Sequence, residues 1–286
     1  MRLDVFRSLW GVKGSWQESF PRIRAAGFDG VELRVPTGAD QRDERERLAD
    51  LLRDHGFACI AEVSACGYVV PRRDATPAEH LADLRRQIPY ALELAPRFIN
   101  GYHGCDAWGW DDQRRFFAGF LELEREFGVA MSVETHRGRS LFNPWITRDL
   151  LAEFPLKLTC DFSHWVVVCE RLLDSELDVI TRCAERCWHI HARVGYDQGP
   201  QVPDPRAPEY AAAVAAHERW WDLCWRTQAG LGRTAMSLTP EFGDEGYLHH
   251  LPYTDVPVAD LWDICTWQGA RQRQRFAAGG WRGGNG

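Results

Sequence analysis

Lysine is nearly missing from this chain: Lys13 and Lys157 are the two present, and arginine supplies the rest of the 34 basic residues. We read this as genomic composition bias and not as an arginine-rich site. Against 41 acidic residues the formal charge is −7, which argues against a protein built to neutralise a phosphate backbone. No run reaches the ~18 apolar residues of a membrane span, and the opening MRLDVFRSLWGV lacks the long apolar stretch of a secretory leader. The nine cysteines are odd in number and contain no CxxC pair, which disfavours a disulfide framework or a thiolate zinc site. Cys183 and Cys187, one turn apart on an expected helix, read as small buried thiols. A reducing cytoplasm is the expected location. The segment after the first strand, LWGVKGSW, has no GxGxxG spacing, so the signature of an open dinucleotide-binding sheet is absent.

What is present is alternation. Strand-like runs fall at about 3–9, 28–34, 57–64, 97–103, 129–135, 157–163, 187–194 and 235–241. Helix-like stretches lie between and after them, near 15–26, 41–55, 77–95, 111–127, 145–153, 175–186, 208–229 and 258–276. Gly27, Gly56 and Gly128 mark helix ends, while Asp111-Asp112 and Asn143-Pro144 mark helix starts. Eight such units in a chain of 286 residues predict an α/β fold, a closed (β/α)8 TIM barrel over 1–276, followed by a Gly-rich flexible tail over 277–286. Two connections are long, 195–208 and 242–257, and both are expected to cover the barrel mouth.

The last four strands each end on a side chain able to ligate a metal: Glu134 in VETHRGR, Asp161 in TCDFSHW, His191 in HIHARVG and Glu241 in LTPEFG. In a parallel barrel these ends converge, at the face where such enzymes place their chemistry. Three carboxylates and one imidazole suit one hard divalent ion, manganese first, with magnesium, cobalt or zinc as alternatives. His189 shares a side of its strand with His191 but lies one layer deeper, so His191 is the expected ligand.

ETHRGR, DFSH, HIHARVG and TPEFG together resemble the xylose-isomerase-like barrels, a superfamily of ketose 3-epimerases, inosose isomerases and dehydratases, hydroxypyruvate isomerase and AP-site endonucleases. The resemblance implies one divalent ion on Glu134, Asp161, His191 and Glu241, and a substrate contact at His164. It implies isomerase or epimerase activity on a small unphosphorylated keto sugar or cyclitol ketone. Argued from chemistry, proton removal beside a carbonyl gives an enediolate, which needs a Lewis acid and a carboxylate base. Glu134 and Glu241 are the expected acid/base pair. A lyase or dehydratase would begin with the same step, and an AP-endonuclease-like phosphodiesterase is a further alternative. Arg193, His103 and Trp108 are the other expected substrate contacts; Glu32, Glu62 and His136 are left without a role. The partner is a small molecule, without nucleic acid or membrane, and a homo-oligomer is compatible with the chain.

Overall fold

The structure, a computed structural model, describes residues 1–68 and 70–281. Apolar runs rich in β-branched residues form β1 (Arg2–Ser8), β2 (Gly30–Arg34), β3 (Ala58–Glu62) and β4 (Phe98–Gly101). The second half repeats them as β5 (Met131–Glu134), β6 (Lys157–Cys160), β7 (Cys187–His191) and β8 (Ala235–Thr239). Each strand pairs in parallel with its sequence neighbours and β1 pairs with β8, so the sheet closes into the expected barrel.

The outer layer begins with α1 (Trp16–Ala25), α2 (Arg42–Asp54), α3 (Pro77–Leu92) and α4 (Trp110–Phe127). It continues with α5 (Pro144–Glu153), α6 (Ser163–Cys169), α7 (Leu177–Arg186), α8 (Ala211–Gly230) and α9 (Leu261–Ala278). Helix α6 is an addition to the sequence-based expectation. Local chemistry sets the borders. Asn143 caps α5 by accepting from the Ile146 amide, with Pro144 at the first helical position. Gly128 ends α4 at φ +64°, a left-handed turn that favours glycine. Between barrel and helices the core is aromatic, with Phe116, Phe117, Trp220, Trp221 and Trp225 fully buried. Among the described residues no helix is long and apolar enough to cross a membrane.

The tail expected over 277–286 needs correction in part. Ala277 and Ala278 close α9, and Trp281 packs onto Trp225 and Phe276 with ring centroids 5.6 and 5.9 Å away. That indole gives the segment an apolar anchor despite its glycines. Residues 282–286 lie outside the described residues.

Inside the barrel, Phe6, Ile60 and Phe98 form a separate apolar plug. Each stands two residues before a polar side chain, Ser8, Glu62 or Asn100, so alternation puts a polar layer directly above the plug. There Ser132 Oγ donates to Asn100 Oδ1 at 3.0 Å and lies 2.9 Å from Thr159 Oγ1. Most barrels fill this level with Val, Ile and Leu. Here it is a hydrogen-bonded floor.

Candidate metal centre and mouth of the barrel

Alternation carries the floor upward to the site. Ser132 leads to Glu134, Thr159 to Asp161, His189 to His191 and Thr239 to Glu241, each two residues on and on the same inward side. Ligand atoms of Glu134, Asp161, His191 and Glu241 all lie within 4.8 Å of one another, and all four side chains are buried. His191 Nδ1 is 2.9 Å from Glu241 Oε2 and 3.5 Å from Glu134 Oε1. Neither His191 Nδ1 nor Glu241 Oε2 has a hydrogen-bond partner among the described residues. Buried polar atoms are seldom left so.

Glu32, midway along β2, sets the orientation of His191. Its Oε1 lies 3.1 Å from His191 Nε2 and also accepts from Asn100 Nδ2 at 3.1 Å. The other oxygen accepts from Thr239 Oγ1 and lies 3.3 Å from His189 Nε2. A proton held on His191 Nε2 by this carboxylate leaves the Nδ1 lone pair toward the three acids. His189 sits one layer down, bonded to Ser237 and Thr239 at 2.7 and 3.0 Å, away from the ligand cluster.

Burial pushes the Glu134 carboxyl up to about 7, reinforced by Glu241 and Asp161 and opposed by His191. Burial also raises Asp161, with Arg193 opposing it. Glu62 is raised well above the usual range by burial and then by Glu32 and Glu241. Burial works against charge on His191, yet Glu241, Glu32 and Glu134 raise it overall. Three buried carboxylates gathered around one imidazole fit a divalent cation, and oxygen-rich ligands with one nitrogen fit a hard one.

Arg193 stands next to the cluster. Its Nη2 lies 2.5 Å from Asp161 Oδ2, 3.2 Å from Glu241 Oε2 and 2.8 Å from His164 Nε2. His164 is buried on α6, and its ring centroid lies 3.9 Å from that of His136 at a tilt of 43°. Both expected contacts therefore line the same end of the barrel as the ligands.

His103 and Trp108 do not. The ring of His103 packs behind the barrel wall against Phe116 and Phe120, and Trp108 donates to the Ala75 carbonyl and packs on Phe116 and His80. The cause is strand period. Asn100 points inward, so Tyr102 follows it inward and His103 turns out. Gly101 is required there, because a Cβ would lie 2.0 Å from the Val63 carbonyl and 2.5 Å from the His103 ring.

Above the ligands is a chamber of about 30 Å³ walled by Glu134, Glu241, Arg193 and Glu62, with Trp10, Tyr68, Tyr102, His136 and Tyr247 around it. Trp10, Tyr68 and Tyr102 escaped the sequence reading, although the inward phase of Asn100 pointed to Tyr102. Tyr68 is held by a buried arginine from the β5 turn: Arg139 donates to the carbonyls of Ala65, Gly67 and Tyr68. The two long connections are stapled together by a reciprocal amide pair. Gln201 Nε2 donates to Gly243 O at 3.0 Å, and Gly243 N donates to Gln201 Oε1 at 2.8 Å. That pair positions the segment whose Tyr247 ring lies 4.9 Å from the Arg193 guanidinium. Arg206, by contrast, pairs with its neighbour Asp204 on the surface.

The chain is similar over its length to several solved structures. One is an L-ribulose 3-epimerase, at 17% identity and TM-score 0.59, covering 97% of both chains. Another is the 3-keto-D-glucoside 4-epimerase from E. coli, at 12% identity and TM-score 0.59, covering 96% of this chain and 99% of that one. A third is a "probable 3-DHS dehydratase" from Bacillus anthracis, at 14% identity and TM-score 0.60, covering 94% and 98%. These likenesses establish the fold. No curated protein matches the sequence. The sequence model of one family does, over residues 20–208, a span that includes three of the four converging ligands. With that match and a closed barrel of the same architecture, the chain belongs to the xylose isomerase-like TIM barrel family.

Proposed function

We propose that this chain is a divalent-metal-dependent isomerase or epimerase of a small unphosphorylated keto sugar or cyclitol ketone, working through an enediolate. The observation that carries the reading is the meeting of Glu134, Asp161, His191 and Glu241 from four consecutive strands within 4.8 Å. Those four residues would hold the ion, with manganese the first expectation. When bound, it would supply Lewis-acid polarisation of the substrate carbonyl.

The protein's own groups do the rest. Glu134 takes the proton beside the carbonyl. Glu241, from the opposite side of the cluster, delivers a proton to the other face of the same carbon, which inverts it. If one glutamate carries the proton between neighbouring carbons, the outcome is aldose–ketose isomerisation. Glu62 and the Arg193 guanidinium are placed to bind substrate oxygens. The aromatic rim of Trp10, Tyr68 and Tyr247 keeps water away from the enediolate.

The sugar epimerases among the similar structures support this chemistry, and the dehydratase supports elimination after the same proton removal as the second reading. A phosphodiesterase fits less well. Among the described residues β2 to β4 contribute Glu32, Glu62 and Tyr102 and no imidazole of their own, and the further histidines near the ligands, His136 and His164, come from the segments after β5 and β6. A small-molecule partner and a cytoplasmic setting complete the proposal.

The test is solvent exchange in D₂O with Glu134→Gln and Glu241→Gln. For two-base epimerisation, one variant loses deuterium uptake from one epimer and the other loses it from the opposite epimer. For a one-base isomerase, a single variant abolishes exchange. Absence of exchange by the metal-loaded wild type on every keto sugar it converts would reject the enediolate.

A further inference from the structure

Away from the mouth, three of the nine cysteines meet in the wall between barrel and helices. Cys160 ends β6, Cys187 begins β7 and Cys224 lies on α8. All three are free thiols, exposed by 0%, 1% and 0%, and their Sγ atoms lie within 4.8 Å of one another. No CxxC pair announces them in the sequence, because they come from three separate elements.

Each thiol arrives by a different route. Cys224 falls on the stripe of α8 that also buries Trp220, Trp221 and Gln228. Cys160 follows Thr159, an inward floor residue, so alternation turns it outward. Cys187 departs from the phase of its own strand. Counting back by twos from His191 and His189 would place it inside the barrel. The register shifts instead: Leu158 pairs with Cys187 and Thr159 with His189, which leaves Trp188 as an extra residue on β7. This bulge returns Cys187 to the outward side, beside Cys160. The break in register is what completes a ring of three sulfurs.

We propose that Cys160, Cys187 and Cys224 form a second metal site, separate from the carboxylate centre, for a soft monovalent cation, Cu(I). Metal–sulfur bonds of about 2.3 Å to one ion hold their sulfurs about 4 Å apart, within the spacing of the three Sγ atoms. Ligand type and number choose the ion. Sulfur alone selects a soft ion over manganese or magnesium. Structural zinc takes four ligands, and zinc on three ligands keeps a water. Among the described residues this group has three members, all fully buried. His189 supplies no fourth donor, since its nitrogens are engaged by Ser237 and Thr239. Cu(I) is satisfied by three sulfurs. Exchange of one Cu(I) for one thiol proton, released to solvent, also leaves the net buried charge at zero, whereas a divalent ion must displace two.

The test titrates the reduced full chain with Cu(I) under anaerobic conditions, against a chromogenic Cu(I) chelator. X-ray absorption at the copper edge then reads the neighbours of the bound ion. The expected result is one Cu(I) per chain with three sulfur neighbours and no oxygen or nitrogen. Affinity falls about a hundredfold or more in Cys160→Ala and in Cys224→Ala. It is unchanged in the double variant Cys66→Ala/Cys169→Ala, which removes the two half-buried thiols. Urea denaturation shows that the variants fold, and copper raises the midpoint of the wild type but not that of Cys224→Ala. Should a triad variant fail to fold, the sulfur count in the wild type decides alone. No binding, binding lost with Cys66 and Cys169, oxygen or nitrogen among the neighbours, or zinc retained against Cu(I) overturns the proposal.

Discussion

At the scale of single residues, His189 and His191 divide two tasks between neighbours on one side of β7. His191 presents Nδ1 to three carboxylates, while His189 is spent on Ser237, Thr239 and Glu32 in the floor. The expected outcome is that His191→Ala purifies without its ion, as elemental analysis would show. His189→Ala keeps the ion but loses about 1–3 kcal/mol in urea denaturation, because floor hydroxyls and Glu32 are left short of a partner. Metal loss in His189→Ala with retention in His191→Ala would reverse the assignment. The four converging residues were legible because each ends an apolar run that breaks at once into polar or turn residues. His103 and Trp108 pack away from the mouth because strand phase, and not residue type, decides which side chains reach it. Once Asn100 is inward, period two sends Tyr102 to the mouth and His103 to the helix layer. Arg139 was legible as a residue of ETHRGR but not as a clamp, since its three carbonyl partners lie about 70 positions earlier in the chain.

At the scale of elements, eight strands and the helices between them followed from periodicity and border glycines. Helix α6 did not. SHWVVVC carries a β-branched run that reads as more strand, yet it folds as a helix whose first turn, Ser163, His164, Trp165 and Val166, is buried on every side. Tertiary burial overrides propensity there, and it is what brings His164 beside Arg193. The long connections were legible as covers from their length and position, but their mutual staple was not, since Gln201 and Gly243 are 42 residues apart. Removing that staple should free the cover without unfolding the barrel. Gln201→Ala is expected to cost about 1–2 kcal/mol in global stability, the value of two hydrogen bonds, and to speed proteolysis within 242–257 several-fold. Unchanged cleavage there would mean that Tyr247 and its packing hold the segment unaided.

At the scale of the whole molecule, acid sensitivity is built in by histidines buried without charge. Burial lowers His103 to about 3 and His217 to about 4, from an ordinary value of 6.5. The unfolded chain therefore binds protons that the folded one refuses between pH 6.5 and about 4. The stability these groups allow is fully present above 6.5 and declines by about 1.4 kcal/mol per pH unit for each histidine as pH falls through that window. His103→Phe keeps an aromatic ring against Phe116 and Phe120 and removes one such proton. Its advantage over the wild type in urea midpoint should be larger at pH 5 than at pH 8, and equal advantages at both would assign it to packing alone. The contact of Arg193 with Asp161 and Glu241 carries a different consequence. A fixed internal counter-charge means that the carboxylates do not depend on an added cation to coexist, unlike small domains that fold only around their metal. Chelation should therefore leave the unfolding midpoint within about 2–4 °C of the loaded protein, roughly 1 kcal/mol at this size. One stripped preparation could then be refilled with manganese, magnesium, cobalt or zinc in parallel, so that the choice of ion becomes a comparison on a single batch of intact protein.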